Sequence, residues 1–520
     1  MKKTMKQHSF ASCLKSLALL FGIALAFASC ANEEIAQNAN CKDNDANLTT
    51  FSTGDPTTRT SMESNGTFYW ESGDKIWVKD DNGAWQQSSN APTEKTASFE
   101  FKVPGKFTKS STYKVYYPGK NGNQDQVSIA ANQSQSEPNT TAHFGASGDC
   151  GMADATWSNA KNCFAFTLDH KAAYLLFLPR TSNTILHNCY LTKVEVNSDN
   201  DITSTYTLDP TTGELSGTGT GNQINVSTGG SGAYANGFPL TNNATSAATN
   251  GAYVVIKPGT HILKIRYWVK DVATGTEGTI TKTLSSATYD QNKYYNITAN
   301  LDVKNYDGDK YYMWDAQEQY WKGHEWNLGG SQPTLTTQSA SSDYPQNSSD
   351  PNNRWYNTSY PGYGVSNPAT HTSCKDLPNV NEMTWYAAKG EPRWDGDELW
   401  TTMGHLYKGG MWFKKKANIN GYNPNTAVDG TDWRTTSNSQ YWSVSQTLPD
   451  AADAGNYFYL PALGYYDSGQ LYSVGYVGAY WSSSTRPWYS YFAYNLAFRS
   501  GKVIVNIGRR DDGFRAEALH

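Results

Sequence analysis

From Phe99 to Leu301 short apolar runs alternate with turn residues, a pattern that predicts strands and no helix longer than two turns. Phe99–Val103, Tyr113–Pro118, Ala173–Leu178, Val194–Val196 and Ala252–Ile256 each read as a strand. Leu263, Ile265, Tyr267 and Val269 alternate with Lys264, Arg266, Trp268 and Lys270, so one face of that segment belongs in a core. Asp209-Pro210-Thr211-Thr212-Gly213 and Lys257-Pro258-Gly259-Thr260 carry the Pro and Gly positions of tight turns. Near residue 305 the pattern changes. Residues 331–370 lack periodicity and predict a long loop, whereas Tyr494, Leu496 and Phe498 alternate, turn at Ser500-Gly501, and meet Val503 and Val505 in a predicted antiparallel hairpin.

The first thirty residues have a different pattern. Lys2, Lys3, Lys6 and Lys15 precede an apolar run from Leu17 to Ala28, which is short for a membrane-spanning helix of about 20 residues. Phe27-Ala28-Ser29-Cys30 then resembles a bacterial lipobox, with Phe27 where leucine is more usual. The resemblance implies a signal peptide over 1–29, an acylated Cys30, a polar tether over 30–47, and attachment to the outer membrane through lipid only. A plain secretory signal is the other reading. Ala31-Asn32-Glu33-Glu34 resembles the surface-export signal of lipoproteins in the Bacteroides group.

Composition narrows the partners. Only 17% of residues are charged, the net charge is -5, and 35 Tyr and 17 Trp are present, the balance of a secreted β-protein. The sequence has no basic block or cationic amphipathic helix, which excludes nucleic acid and anionic membrane surfaces as expected partners. Beyond Cys13 and Cys30 the cysteines are Cys41, Cys150, Cys163, Cys189 and Cys374. They are odd in number and lack a C-x-x-C pair, which indicates neither a zinc site nor a dense disulfide framework. Cys150 and Cys163 read equally as a bridge or as two free thiols.

Thr57-Thr58-Arg59-Thr60-Ser61, then Trp70-Glu71-Ser72-Gly73-Asp74-Lys75-Ile76, and finally Lys293 to Leu301 together resemble the fimbrillin family of Bacteroides-type surface lipoproteins. The resemblance covers Leu48 to Asp302. It implies two transthyretin-like β-sandwiches in tandem, taken as 48–175 and 176–305, with the division near residues 170–185. It also implies assembly with other fimbrial subunits by donor-strand exchange, in which a protease cutting after arginine removes the first strand. Arg59, the one basic residue between Lys42 and Lys75, is the candidate for that cut; the other reading is an exposed strand residue. Trp70 and Ile76 are expected to anchor strands around the Ser72-Gly73-Asp74 turn, Trp70 in the core rather than as a ligand platform.

Residues 306–520 hold twelve of the 17 tryptophans from Asp309 onward. Phe458 to Tyr465, Tyr480-Trp481-Ser482-Ser483, Ser500 to Val503 and Arg510 to Arg515 resemble the lectin-like domain found in many Fibrobacter and Bacteroides surface proteins. The fold class implied is mainly β, with an α+β C-type-lectin-like domain after the sandwiches and a helix within residues 376–404. Trp481-Ser482-Ser483 stands where calcium-dependent lectins carry Trp-Asn-Asp, and serine hydroxyls are poor ligands for that cation. No cofactor is expected. Asp395, Asp397 and Glu398 form the densest acidic cluster, read as a solvated turn ahead of a metal site.

Trp488, Tyr489, Tyr491 and Phe492 are the candidate ligand-binding residues, because sugar C–H faces stack on aromatic rings. The alternative is that they pack a long loop against Tyr476 and Tyr480. No G-x-S-x-G, H-E-x-x-H, P-loop or dinucleotide fingerprint occurs, so an enzyme is not expected. These features predict a surface fimbrial adhesin, at the tip of the fibre, with a head for a glycan or for a host or bacterial surface protein. A non-polymerising glycan-binding lipoprotein serving polysaccharide uptake is the alternative.

Overall fold

The structure of the chain is a computed structural model that describes residues 41, 47–53, 61–62, 68–217, 219–272, 275–337, 339–359 and 369–519. It is mainly β, as the alternation requires, and the predicted strands form at Glu100–Pro104, Tyr113–Tyr117, Ala173–Arg180, Cys189–Ser198, Ala252–Ile256 and Leu263–Asp271. Helices before residue 305 are single turns among the described residues. The segments 1–29 and 30–40, with Cys30, and the candidate cut at Arg59 lie outside the described residues.

The first sandwich is built from β1 (Leu48–Thr53), β2 (Glu100–Pro104), β3 (Tyr113–Tyr117) and, after a departure of the chain that includes β4 (Asn132–Gln135), β5 (Gly151–Ser158) and β6 (Cys163–Phe166). The sheet order runs from 85–87 through 77–79, β3, β5, β6 and β1 to β2. β5 serves two faces: Gly151–Ala155 pair with β3, and Thr156–Ser158 pair with β6. The Trp70–Ile76 motif packs this sandwich rather than binding a ligand. Trp70 is fully buried, edge-on to Phe101 and Tyr117 at centroid distances of 4.9 and 5.5 Å. Buried Asp74 accepts from the Tyr117 hydroxyl at 2.9 Å and from the Glu71 N–H at 2.7 Å. Gly73, at φ +84°, makes the turn that aims the carboxylate inward.

The second sandwich faces two sheets together. One orders β10 (Ala252–Ile256), β7 (Ala173–Arg180) and β13 (Tyr294–Asn300), where β7 and β13 are parallel. The other contains β12 (Glu277–Thr283), β11 (Leu263–Asp271), β8 (Cys189–Ser198), β9 (Gln223–Thr228) and β4. Leu175, Phe177, Val254, Val196, Ile265 and Tyr267 fill the space between them. Gln126–Ser128 and β4, early in the sequence, pair with strands of this second unit, and Val127, Ile129 and Phe144 join its core. The chain therefore crosses between the sandwiches before residue 170.

The C-terminal unit extends the second sheet. β14 (Arg393–Thr402), β15 (His405–Lys414) and β16 (Tyr457–Pro461) follow β12 in one nine-stranded sheet, joined where Thr279 pairs with Glu398. A six-stranded sheet lies beyond, with β17 (Gly478–Thr485), β18 (Phe492–Arg499) and β19 (Lys502–Arg509) in its middle. The predicted hairpin is β18–β19, with Phe498 opposite Val503 and Leu496 opposite Val505. The helix expected within 376–404 is α1 (Val380–Lys389), started by a capping box in which Asn379 and Glu382 bond each other's backbone N–H. Its Val380, Met383, Tyr386 and Ala387 face the core. The Tyr480–Ser483 motif is buried structure: Trp481 stacks on Phe514 at 4.3 Å and donates to the Tyr312 carbonyl.

Candidate functional site

Three places hold the residues with chemistry to offer. The acidic cluster sits between the second sandwich and the C-terminal unit, which corrects its reading as a solvated turn. Asp395 accepts from the Arg266 guanidinium at 3.0 and 3.3 Å, from the Trp412 indole at 3.1 Å, and from the N–H groups of Asp397 and Glu398. Glu398 accepts from the Thr281 N–H and hydroxyl at 3.0 and 2.6 Å and from the Thr279 hydroxyl at 3.2 Å. Asp397 pairs with Lys408 instead. Each carboxylate is thus spent on a protein donor, and no group of three metal-ligating side chains occurs among the described residues. Burial, then the Asp395 charge, pushes the Glu398 carboxyl up to about 7. Lys264 and Arg266, on the second face of β11, are buried here for the same reason: the C-terminal unit covers them.

The aromatic loop before β18 is a surface. Trp488 is 50% exposed at φ +67°, Tyr489 is 47% exposed and Tyr491 67%. Phe492 differs, being half-buried at the start of β18. The Arg486 guanidinium lies over Tyr489 at 4.3 Å and over Phe492 at 5.8 Å, while its Nε donates to the Ser437 hydroxyl. The two tyrosines of the packing alternative sit in different surroundings. Tyr480 is buried, its hydroxyl bonded to the Pro461 carbonyl, and Tyr476 is itself 75% exposed.

Tyr476 belongs to a second aromatic surface that sequence reasoning missed. A cleft of about 360 Å³ is lined by Tyr407, Gln470, Tyr472, Ser473, Val474 and Tyr476, with two leucines and no charged side chain. Tyr472 stacks on Tyr465 at 5.7 Å and donates its hydroxyl to the Gln470 amide oxygen. The tight turn Asp467-Ser468-Gly469, with Ser468 and Gly469 both at positive φ, folds this segment back as a two-stranded ribbon. The Gly469 to Tyr476 stretch, with Tyr472 between two glycines and Tyr476 just after the second, is the available signal.

The third place is β1. It lies between two strands of its sheet, antiparallel to β2 with Phe51 opposite Phe101, and parallel to β6 with Phe51 opposite Phe164. Phe51 is fully buried and stacks on Phe164 at 5.0 Å. Cys41, just upstream, forms a disulfide with Cys163, not the Cys150–Cys163 bridge that was one of the two readings. Cys150, Cys189 and Cys374 are free and buried. Burial raises all three thiols, Cys189 and Cys374 up to about 12.

The chain matches no protein-family model and no curated protein. Among solved structures it is similar to a candidate cell adhesion protein from Bacteroides ovatus, at 15% identity and a TM-score of 0.31, over 49% of this chain and 93% of that one. A fimbrial protein from Bacteroides ovatus is similar over 91% of this chain and 98% of its own, at 12% identity and a TM-score of 0.27. The fimbrial anchor protein of Porphyromonas gingivalis is similar at 11% identity and a TM-score of 0.22, over 46% and 82% of the two chains. No helix among the described residues is long and apolar enough to cross a membrane.

Proposed function

We propose that this chain is a fimbrial subunit brought to the cell surface on an acylated Cys30, joined to a fibre by donor-strand exchange once the fragment bearing Cys30 and β1 is cut away, and carrying its C-terminal unit as a lectin-like adhesive head. The observation that carries the reading is the position of β1. The most N-terminal described strand fills an interior slot of its sheet and is bonded along both edges, with Phe51 in the core. Residues 54–60, with Arg59, connect it to the rest of the domain. Removal of such a strand exposes two rows of backbone donors and acceptors, which another chain's strand can satisfy. At the other end the chain runs from β13 into a folded unit of about two hundred residues. No free strand follows the second sandwich directly, which favours a terminal place in the fibre.

The test of the fibre reading uses the full mature chain, cut with trypsin after Arg59 under reducing conditions. A labelled synthetic peptide of residues 48–53 should then enter the vacated slot at one per chain. If β1 leaves and the peptide is not taken up, the donor-strand part is wrong. The two exposed aromatic surfaces favour the second reading, a non-polymerising glycan-binding lipoprotein, if fibres do not form. A glycan and surface-protein array on the mature chain decides what the head does. Stacking of a ring on Trp488 or Tyr476 predicts a roughly tenfold loss on substitution by alanine, about 1.4 kcal/mol. Binding unchanged in both variants would remove these surfaces from the head's function.

A further inference from the structure

β1 has a covalent tie as well as its two rows of hydrogen bonds. Cys41 is buried and its N–H donates to the Lys161 carbonyl at 2.9 Å, in the turn that joins β5 to β6. Its sulfur is bonded to Cys163, the first residue of β6, with the two Cα atoms 6.0 Å apart. Phe164, the next residue, is the partner of Phe51 on β1. Anchor and strand therefore lie on the same neighbouring strand, and the tie falls upstream of β1, on the fragment that a cut between Thr53 and Ser61 would separate.

We infer that the Cys41–Cys163 disulfide retains β1 in its slot after the chain is cut, so that this subunit accepts a foreign strand only once a dithiol has reduced that bond. The inference rests on the donor-strand reading and adds a second covalent requirement to it. Hydrolysis of one peptide bond consumes one water and leaves a nicked chain whose N-terminal fragment is still bonded through Cys41. Reduction then moves two electrons and two protons from the dithiol to the cystine sulfurs. Cys41 and Cys163 become thiols, and the dithiol closes to its own disulfide.

Two physical arguments make the tie effective. A strand held by a short covalent tether rebinds intramolecularly, at an effective concentration in the millimolar range, so a free competing strand at micromolar concentration does not displace it. Exchange from within the protein is also blocked, because an attacking thiolate must be ionised and must reach the bond. Cys150, Cys189 and Cys374 are all buried, with their thiols raised, and none provides that thiolate. The reductant has to come from outside. In the oxidising surroundings of an exported protein, a nicked but unreduced subunit keeps its slot closed.

The experiment uses the full mature chain nicked after Arg59 by an arginine-specific protease, which spares Lys42 between Cys41 and β1, without reductant, then divided in two, with dithiothreitol added to one half. Non-reducing peptide mapping of the uncut chain should yield one cross-linked peptide containing Cys41 and Cys163. After nicking, the fragment carrying β1 should co-elute with the protein on size exclusion and should leave at least tenfold faster once dithiothreitol is present. The Cys41→Ser chain, nicked in the same way, should release the fragment without reductant. A chain with a dedicated protease site inserted in residues 54–60 serves if the arginine-specific protease leaves Arg59 uncut. Loss of the fragment from nicked, unreduced protein overturns the inference, as does a map without the Cys41–Cys163 peptide. Retention without reductant and release with it, followed by failure of the 48–53 peptide to bind, leaves the tie established and removes the donor-strand reading instead.

Discussion

Glu398 is a buried carboxylate whose three hydrogen bonds come from β12 and whose backbone belongs to β14, so its ionisation acts on the seam between two units. Its folded pKa is raised from 4.5 to about 7, first by burial and then by Asp395. The sign follows from linkage. The neutral form is favoured in the folded protein, so the stabilisation is complete below about pH 4.5 and is lost as pH rises through about 7. Glu398→Gln keeps an acceptor for the Thr281 N–H and cannot ionise. Thermal unfolding of this variant should therefore lose less stability between pH 5 and pH 8 than the native chain does; equal slopes would show that Glu398 does not titrate at the seam. Sequence could not reveal this role. Asp395, Asp397 and Glu398 look alike in a turn-like context, and what separates them lies more than a hundred residues away: Arg266 takes Asp395, and Thr279 and Thr281 take Glu398.

At the scale of the element, sheet edges separate what was legible from what was not. The alternation in β11 gave its core face correctly, Leu263, Ile265, Tyr267 and Val269 all being buried. It was silent on the opposite face, because Lys264 and Arg266 are covered by a unit that comes later in the chain. The same applies to β4, whose Asn132-Gln133-Ser134-Gln135 has no apolar pattern to mark a strand. Yet Gln133 satisfies both the N–H and the carbonyl of Val255, and Gln135 bonds the Tyr253 N–H and the Gly251 carbonyl. Two side-chain amides thus stand in for a missing neighbour along the outer edge of β10. Asn90 treats the outer edge of β2 in the same way, through the Lys102 N–H and the Glu100 carbonyl. A leucine at Gln133 leaves a buried donor and acceptor without a partner, at about 1–3 kcal/mol for each unsatisfied group. Gln133→Leu should therefore lower the denaturant midpoint by an amount corresponding to about 2–6 kcal/mol. A midpoint within 0.5 kcal/mol of native, by the tolerance usual for surface changes, would show that water replaces the amides.

Across the whole molecule, one nine-stranded sheet runs from the second sandwich into the C-terminal unit, whereas the change of pattern near residue 305 reads as a boundary between independent domains. The compositional change there is real, but composition does not register a single strand pairing, Thr279 with Glu398, or the ion pair beside it. Force passed between the two units runs through the backbone pairing and through the buried Arg266–Asp395 contact. That contact is the place to test the coupling. Replacing one partner of a buried pair leaves the other charge in a dry site and costs about 3–5 kcal/mol. Arg266→Leu should therefore weaken the seam more than either unit. In calorimetry the native second sandwich and C-terminal unit should melt in one endotherm, and the variant should divide it in two, the units now unfolding separately. Arg266→Lys keeps the charge without the planar fork, and should fall between the two. A single endotherm that merely moves to lower temperature in Arg266→Leu would mean that the backbone pairing alone joins the units, with the ion pair adding stability but no coupling.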